Sequence, residues 1–209
     1  MLRQLDSREI TKVKLFEMVE SDFSLLPILL DGTLSSKATV RYGCGNVLVE
    51  LSENYPDKLY PYMNNFITLL DNKYRILTWN AMAAIANLTA VDNENKFDAI
   101  FDKYYGYLGN EYLVTVANVV VNSAKIVSNK PYLVDRITTE LLKVQNLQTN
   151  PHLTEECKLI IAEHAIITFN TLIRYTKNKA PLIDFAEKYQ NSKRTSLKKK
   201  AQNFLKKCQ

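Results

Sequence analysis

Few side chains in this 209-residue chain stand at spacings that chemistry would use. Glu156, Cys157, Glu163 and His164 come nearest, because seven residues separate Cys157 from His164 and that spacing puts both on one helical face. A catalytic zinc generally takes three protein ligands, and no third accompanies this pair. Adjacent Glu163 and His164 point in different directions on a helix. Cys157 therefore reads as a small core residue and His164 as a partly buried polar one. With two histidines and five glycines in total, a His-rich metal site and a phosphate-cradling loop both lack material. None of the GxGxxG, GxxxxGK[ST], GxSxG or HExxH patterns occurs. Neither catalytic residue, metal ligand nor cofactor site is expected.

Groups suited to binding are more abundant. Phe97, Phe101, Tyr104, Tyr105, Tyr107 and Tyr112 gather in one stretch with Lys103. Tyrosine joins a rigid apolar body to a polar tip, so Tyr104, Tyr105 and Tyr107, with Arg136, are the candidate partner-binding residues. The competing reading puts Phe97, Ile100, Phe101, Tyr104 and Leu108 in a core at helical spacing, leaving only Tyr105 or Tyr107 exposed. Asparagines recur at positions 46, 80, 87, 118, 122 and 170. Helix interiors disfavour asparagine, so they serve either as a ladder for a bound backbone or as partners for carbonyls between elements. Trp79, the single tryptophan, has Arg75, Met82 and Ala83 as helical neighbours and reads as core.

The formal charge of +5 is unevenly placed. From Lys188 onward there are eight basic residues and no acid, and removing those eight from 27 leaves 19 against 22 acidic ones, about −3 for the body. Lys193, Arg194, Lys198, Lys199 and Lys200 are thus the candidate nucleic-acid-binding residues. The competing role for these lysines is the solvated face of a terminal helix. No apolar run approaches the roughly 20 residues that span a bilayer. Met1 to Glu20 mixes charges into its apolar pattern, unlike a secretory signal. Cys44, Cys157 and Cys208 are odd in number and widely spaced, reading as reduced thiols. A cytoplasmic, non-membrane protein is expected.

The elements that must position these groups are helices, since glycine and proline are scarce and apolar residues recur at three and four positions. The run Val119 to Val121 sits inside a longer helical pattern and reads as a buried helical turn. A helix over Val40 to Leu51, a turn at Asn54 to Asp57 and a second pattern from Leu59 to Leu70 make one hairpin. The layout returns in Ile76 to Leu88 followed by Phe97 to Leu108, and again in Tyr112 to Val127 followed by Leu133 to Val144. Leu51, Leu88 and Ile126 register these copies at spacings of 37 and 38 residues. A fourth copy runs from Thr154 to Tyr175 and Pro181 to Tyr189, after a polar insert, Gln145 to His152, expected as a surface loop. Pro56, Pro131 and Pro181 fall where second helices should begin. The expected organisation is a single domain over 1–209. It has a capping hairpin (1–35), repeats at 36–72, 73–109, 110–146 and 154–190, and a basic helix at 192–209 docked through Leu197, Ala201, Phe204, Leu205 and Cys208.

On the segments Val40 through Leu51, Leu59 through Leu70, Ile76 through Leu88 and Ser196 through Leu205, the chain resembles HEAT-repeat proteins, with armadillo repeats as the near neighbour. The resemblance implies an all-α solenoid of stacked hairpins in a right-handed superhelix, with second helices lining a concave surface. It implies a non-catalytic scaffold that binds a protein or peptide. The alternative it leaves open is a nucleic-acid-binding HEAT-like protein related to alkylated-base DNA glycosylases, using the terminal lysines with Arg75 and Arg136. The later copies lack the Val-Arg pair of Val40-Arg41.

Overall fold

The computed structural model describes residues 1–208, and those residues form fourteen α-helices joined by 3-10 turns. No strand occurs among them; one isolated bridge joins Asn150 and Leu153. The chain divides into two compact units, Met1–Ile100 and Phe101–Gln209, and the division falls inside the second hairpin. Gln209, the end of the expected terminal helix, lies outside the described residues.

The first unit holds α1 (Leu2–Asp6), α2 (Lys12–Ser21), α3 (Leu26–Gly32), α4 (Ala38–Asn54), α5 (Pro56–Leu59), α6 (Met63–Leu69), α7 (Arg75–Leu88) and α8 (Lys96–Ala99). Its first hairpin helix starts at Lys12, not at Ser7 as the apolar spacing suggests. Thr11 Oγ1 accepts from Lys14 N–H there, while Arg8 takes a left-handed φ of 62° that breaks the helical path before it.

Helix α4 is the centre of this unit, packing on α1, α2 and α3 and on α7. Two glycines make that double contact close. A Cβ at Gly43 would come within 2.9 Å of Leu5, and one at Gly45 within 2.9 Å of both Leu77 and Asn80. Each glycine thus opens a different flank of α4 to a neighbouring helix. Asn87 of α7 fixes the register, donating to Val49 O (3.3 Å) and Ser52 Oγ (2.9 Å) of α4. Arg41 is buried, with its guanidinium 3.6 Å from the Tyr74 ring centre and 4.7 Å from that of Tyr42. It donates to the carbonyls of Ser35 and Ser36, closing the turn that precedes α4.

The second helices of the first two repeats are broken, whereas the apolar periodicity predicts continuous ones. Pro61 lacks an N–H and its ring disturbs the preceding turn, so Tyr60–Tyr62 is a 3-10 turn between α5 and α6. Asp92 compensates for the shortness of α8, accepting from the backbone N–H groups of Lys96 and Phe97 at 2.9 Å and from Tyr60 O–H at 2.7 Å. Burial, and then the Asp92 carboxylate, push the Tyr60 phenol up to about 12.

The second unit holds α9 (Phe101–Gly106), α10 (Leu113–Asn129), α11 (Val134–Leu142), α12 (Glu155–Leu172), α13 (Ala180–Glu187) and α14 (Thr195–Cys208). The long helices α10 and α12 lie side by side, and Thr168 Oγ1 donates to Val120 O at 3.0 Å across that contact. Thr154 caps α12, and the insert before it is held by buried Leu153 and by His152 stacked on Tyr112, 4.7 Å between ring centres. Pro56 and Pro181 stand in the first turns of α5 and α13, and Pro131 opens a 3-10 turn ahead of α11.

Helix α14 docks through Leu197, Ala201 and Phe204, with Phe169 and Phe185 beneath them; Leu205 and Cys208 are only partly covered. Each fully buried leucine or phenylalanine contributes about 1.5–3 kcal/mol. A polar clamp adds direction. Glu163 Oε2 of α12 accepts from Ser196 Oγ (2.7 Å) and Arg194 Nε (2.9 Å), and Arg194 also pairs with Glu156. Burial alone would raise the Glu163 pKa, but the hydrogen bonds from Ser196 and Arg194, with the charges of Arg194 and His164, hold it below the ordinary glutamate value.

Two outcomes follow for stability. Asn87→Ala leaves the Ser52 hydroxyl and Val49 carbonyl buried without that donor, and should destabilise the chain by about 1–3 kcal/mol in urea unfolding. Asn118→Ala, whose amide donates only to its own helix, should stay within about 0.5 kcal/mol; equal losses would refute the register role of Asn87. Because the native Glu163 pKa is depressed, the stability it lends is complete above the ordinary value near 4.5 and is lost as pH falls through the lower native value. Glu163→Gln should therefore narrow its stability gap to the parent chain as pH falls from 6 to 3, and a constant gap would contradict the clamp.

Candidate functional site

The residues that came nearest to catalytic spacing are occupied structurally. Thr154 Oγ1 donates to Cys157 Sγ at 3.3 Å, and Glu163 belongs to the clamp on α14. Cys44 is buried, and burial pushes its thiol up to about 12, which leaves little nucleophilic thiolate at neutral pH. Among the described residues no three His, Cys, Asp or Glu side chains gather as a metal would require.

The aromatic stretch is mostly interior. Tyr104 and Tyr105 are 0% and 2% exposed, although adjacent helical positions point about 100° apart. Helix α9 is covered on both of those sides. Tyr105 Oη lies 3.0 Å from Ser123 Oγ of α10, Tyr104 hydrogen-bonds Asn122 beside it, and burial raises both phenol pKa values. These two rings are thus core, and the sequence patch reduces at the surface to Tyr107, partly exposed, and Arg136. Arg136 is engaged within its own unit, donating to Asp102 at 2.7 Å with its guanidinium 3.8 Å over the Phe101 ring.

The exposed sides of the long helices carry more unengaged chemistry. On α4 and α7, Asn80 donates to Asn46 Oδ1 at 3.1 Å, so these two amides form a pair across the helix contact. Asn46 is exposed and its own amide N–H groups donate to nothing among the described residues. It borders a largely apolar cleft of about 510 Å³ lined by Leu5, Ile10, Ala38, Thr39, Tyr42 and Gly43. Trp79, expected in the core, is only partly covered and lies on the same side of α7 as Ile76 and Asn80. The asparagines thus separate by role. Asn87 and Asn122 satisfy buried partners, Asn80 is half-buried with its Oδ1 against Gly45, and Asn46, Asn118 and Asn170 are at least partly exposed.

In the second unit the corresponding sides of α10 and α12 expose Val114 (43%), Val121 (47%) and Ile167 (42%). Within the run Val119 to Val121 only Val121 faces outward, a separation that a one-residue step of 100° produces. On α14, Lys198, Lys199, Lys200 and Lys206 are exposed and, among the described residues, paired with no carboxylate; Lys193 before the helix is also exposed. Lys207 donates to Asn170 Oδ1 of α12 at 3.0 Å. Arg194 differs from these lysines, because both of its pairing directions are taken by Glu163 and Glu156.

No family model matches this chain, and no curated protein matches it. Among solved structures it is similar to a designed armadillo repeat protein, with a TM-score of 0.59 and 20% sequence identity over 98% of this chain and 89% of that one. At that identity the likeness speaks to architecture: the chain has the all-α, helical-repeat fold of the HEAT and armadillo kind.

Proposed function

We propose that this chain is a non-catalytic repeat module that binds a protein or peptide along the exposed sides of its long helices. The observation carrying the reading is the Asn46–Asn80 pair, in which exposed Asn46, at the rim of an apolar cleft, uses its carbonyl and keeps its N–H groups for another acceptor. An extended backbone presents carbonyls to which such an amide can donate a hydrogen bond, while the cleft covers an apolar side chain. Tyr42, partly exposed, supplies rigid apolar area in the cleft, and Trp79, also partly exposed, directly precedes Asn80 on α7. Among the described residues no helix is long and apolar enough to cross a membrane. Three unpaired thiols agree with a reducing compartment such as the cytoplasm.

The second reading, nucleic-acid binding, is favoured by the lysines of α14 that pair with no carboxylate. It loses Arg194 to the clamp.

Trp79 is the only tryptophan, so its emission reports on the first unit directly. Peptides selected on the full chain that shift Trp79 emission should bind Asn46→Ala about tenfold more weakly, the loss of roughly one hydrogen bond. Unchanged affinity would remove Asn46 from the site. For the alternative, labelled single- and double-stranded nucleic acid titrated across a salt series should show no tight binding at low salt. Tight, salt-sensitive binding abolished by Lys198/Lys199/Lys200→Ala would replace the peptide reading.

A further inference from the structure

We infer that the exposed side of α10, α12 and α14 docks an acidic peptide segment in which aliphatic residues alternate with carboxylates. The inference rests on the peptide-binding reading and adds the partner's chemistry. Helix periodicity places Val114 and Val121 on the outer side of α10, and Ile167 on the outer side of α12, the helix packed beside it. All three are more than 40% exposed, so an aliphatic row stands uncovered where two packed helices meet.

Cations border that row. Lys200 and Lys207 lie on the flank of α14 that faces α12, which the bond from Lys207 to Asn170 and that from Ser196 to Glu163 both establish. Lys199 and Lys206 follow on its outer side, and Arg174 is exposed just beyond the end of α12. Neither α10 nor α14 contains an acidic residue. The carboxylates on the outer side of α12, Glu156 and Glu163, are already bridged by Arg194. The surface therefore combines aliphatic contacts with uncompensated positive charge, and its complement is a chain carrying both aliphatic and carboxylate side chains.

A nucleic acid fits this surface less well, because valine and isoleucine offer bases no stacking platform. Val114 and Val121, seven residues apart on α10, make the row about 10 Å long, room for about three extended residues.

Random peptides of about twelve residues, displayed and panned on the full chain, test the inference. Counter-selection uses the Lys200→Glu/Lys207→Glu double variant at two exposed positions, its fold compared with the parent chain by circular dichroism. Enriched peptides should be net negative and aliphatic, bind the parent chain about tenfold or more tighter than the variant, and weaken with salt. Val121→Asp should weaken the same peptides. Enrichment of neutral or basic peptides, or equal binding to the charge-reversed variant, overturns the acidic assignment and leaves peptide binding standing. No enrichment at all overturns both. Polyuridylate that binds more tightly than the selected peptides and displaces them would transfer this surface to nucleic acid.

Discussion

Buried polar groups on the long helices must find partners, and where they find them decides how each helix lies against the next. Asn87 reaches Val49 and Ser52, and Thr168 reaches Val120, each across a contact between long helices. Apolar packing is non-directional and would tolerate a slide of one turn. A hydrogen bond made in a dry interface would not, because the slide leaves a donor stranded. Gly43 and Gly45 act in the same direction by allowing approach only where no side chain intervenes. The outer sides of the helices acquire their composition as a result, since positions committed inward fix which ones remain outside.

The long helices were legible because their apolar residues repeat at three and four over four or five turns, and the docked terminal helix because Leu197, Ala201 and Phe204 make one stripe. The second helices were less so. Their apolar pattern persists through Tyr60–Tyr62 and past Ile100, yet the backbone tightens or breaks there; Pro61 signalled one interruption, and nothing in residue type signalled the other. Likewise no local pattern marks the boundary between the two compact units at Ile100 and Phe101.

The candidate surface was partly legible. Asparagine recurrence marked the long helices, but which amides serve the interior and which face out depends on partners 18 to 38 residues away, beyond what helical spacing encodes. Tyr104 and Tyr105 illustrate the limit. One tyrosine of an adjacent pair ordinarily stays outside, yet here Asn122 and Ser123, themselves adjacent, supply a partner for each. Lysine clustering was plain in the sequence, whereas the capture of Arg194 by two glutamates was not, because Glu156 and Glu163 lie more than thirty residues earlier.

The fragmentation of the second helices has a kinetic meaning. Pieces of four to seven residues, such as α5, α6, α8 and α9, are well below the length at which a helix persists alone, so their order is borrowed from α4, α7 and α10. Opening can then proceed piecewise on that layer while the long helices remain paired, which gives the chain a graded set of partly open states below its global unfolding. Hydrogen exchange would register them as separate rungs, with the broken layer exchanging first and the α4/α7 and α10/α12 pairs last.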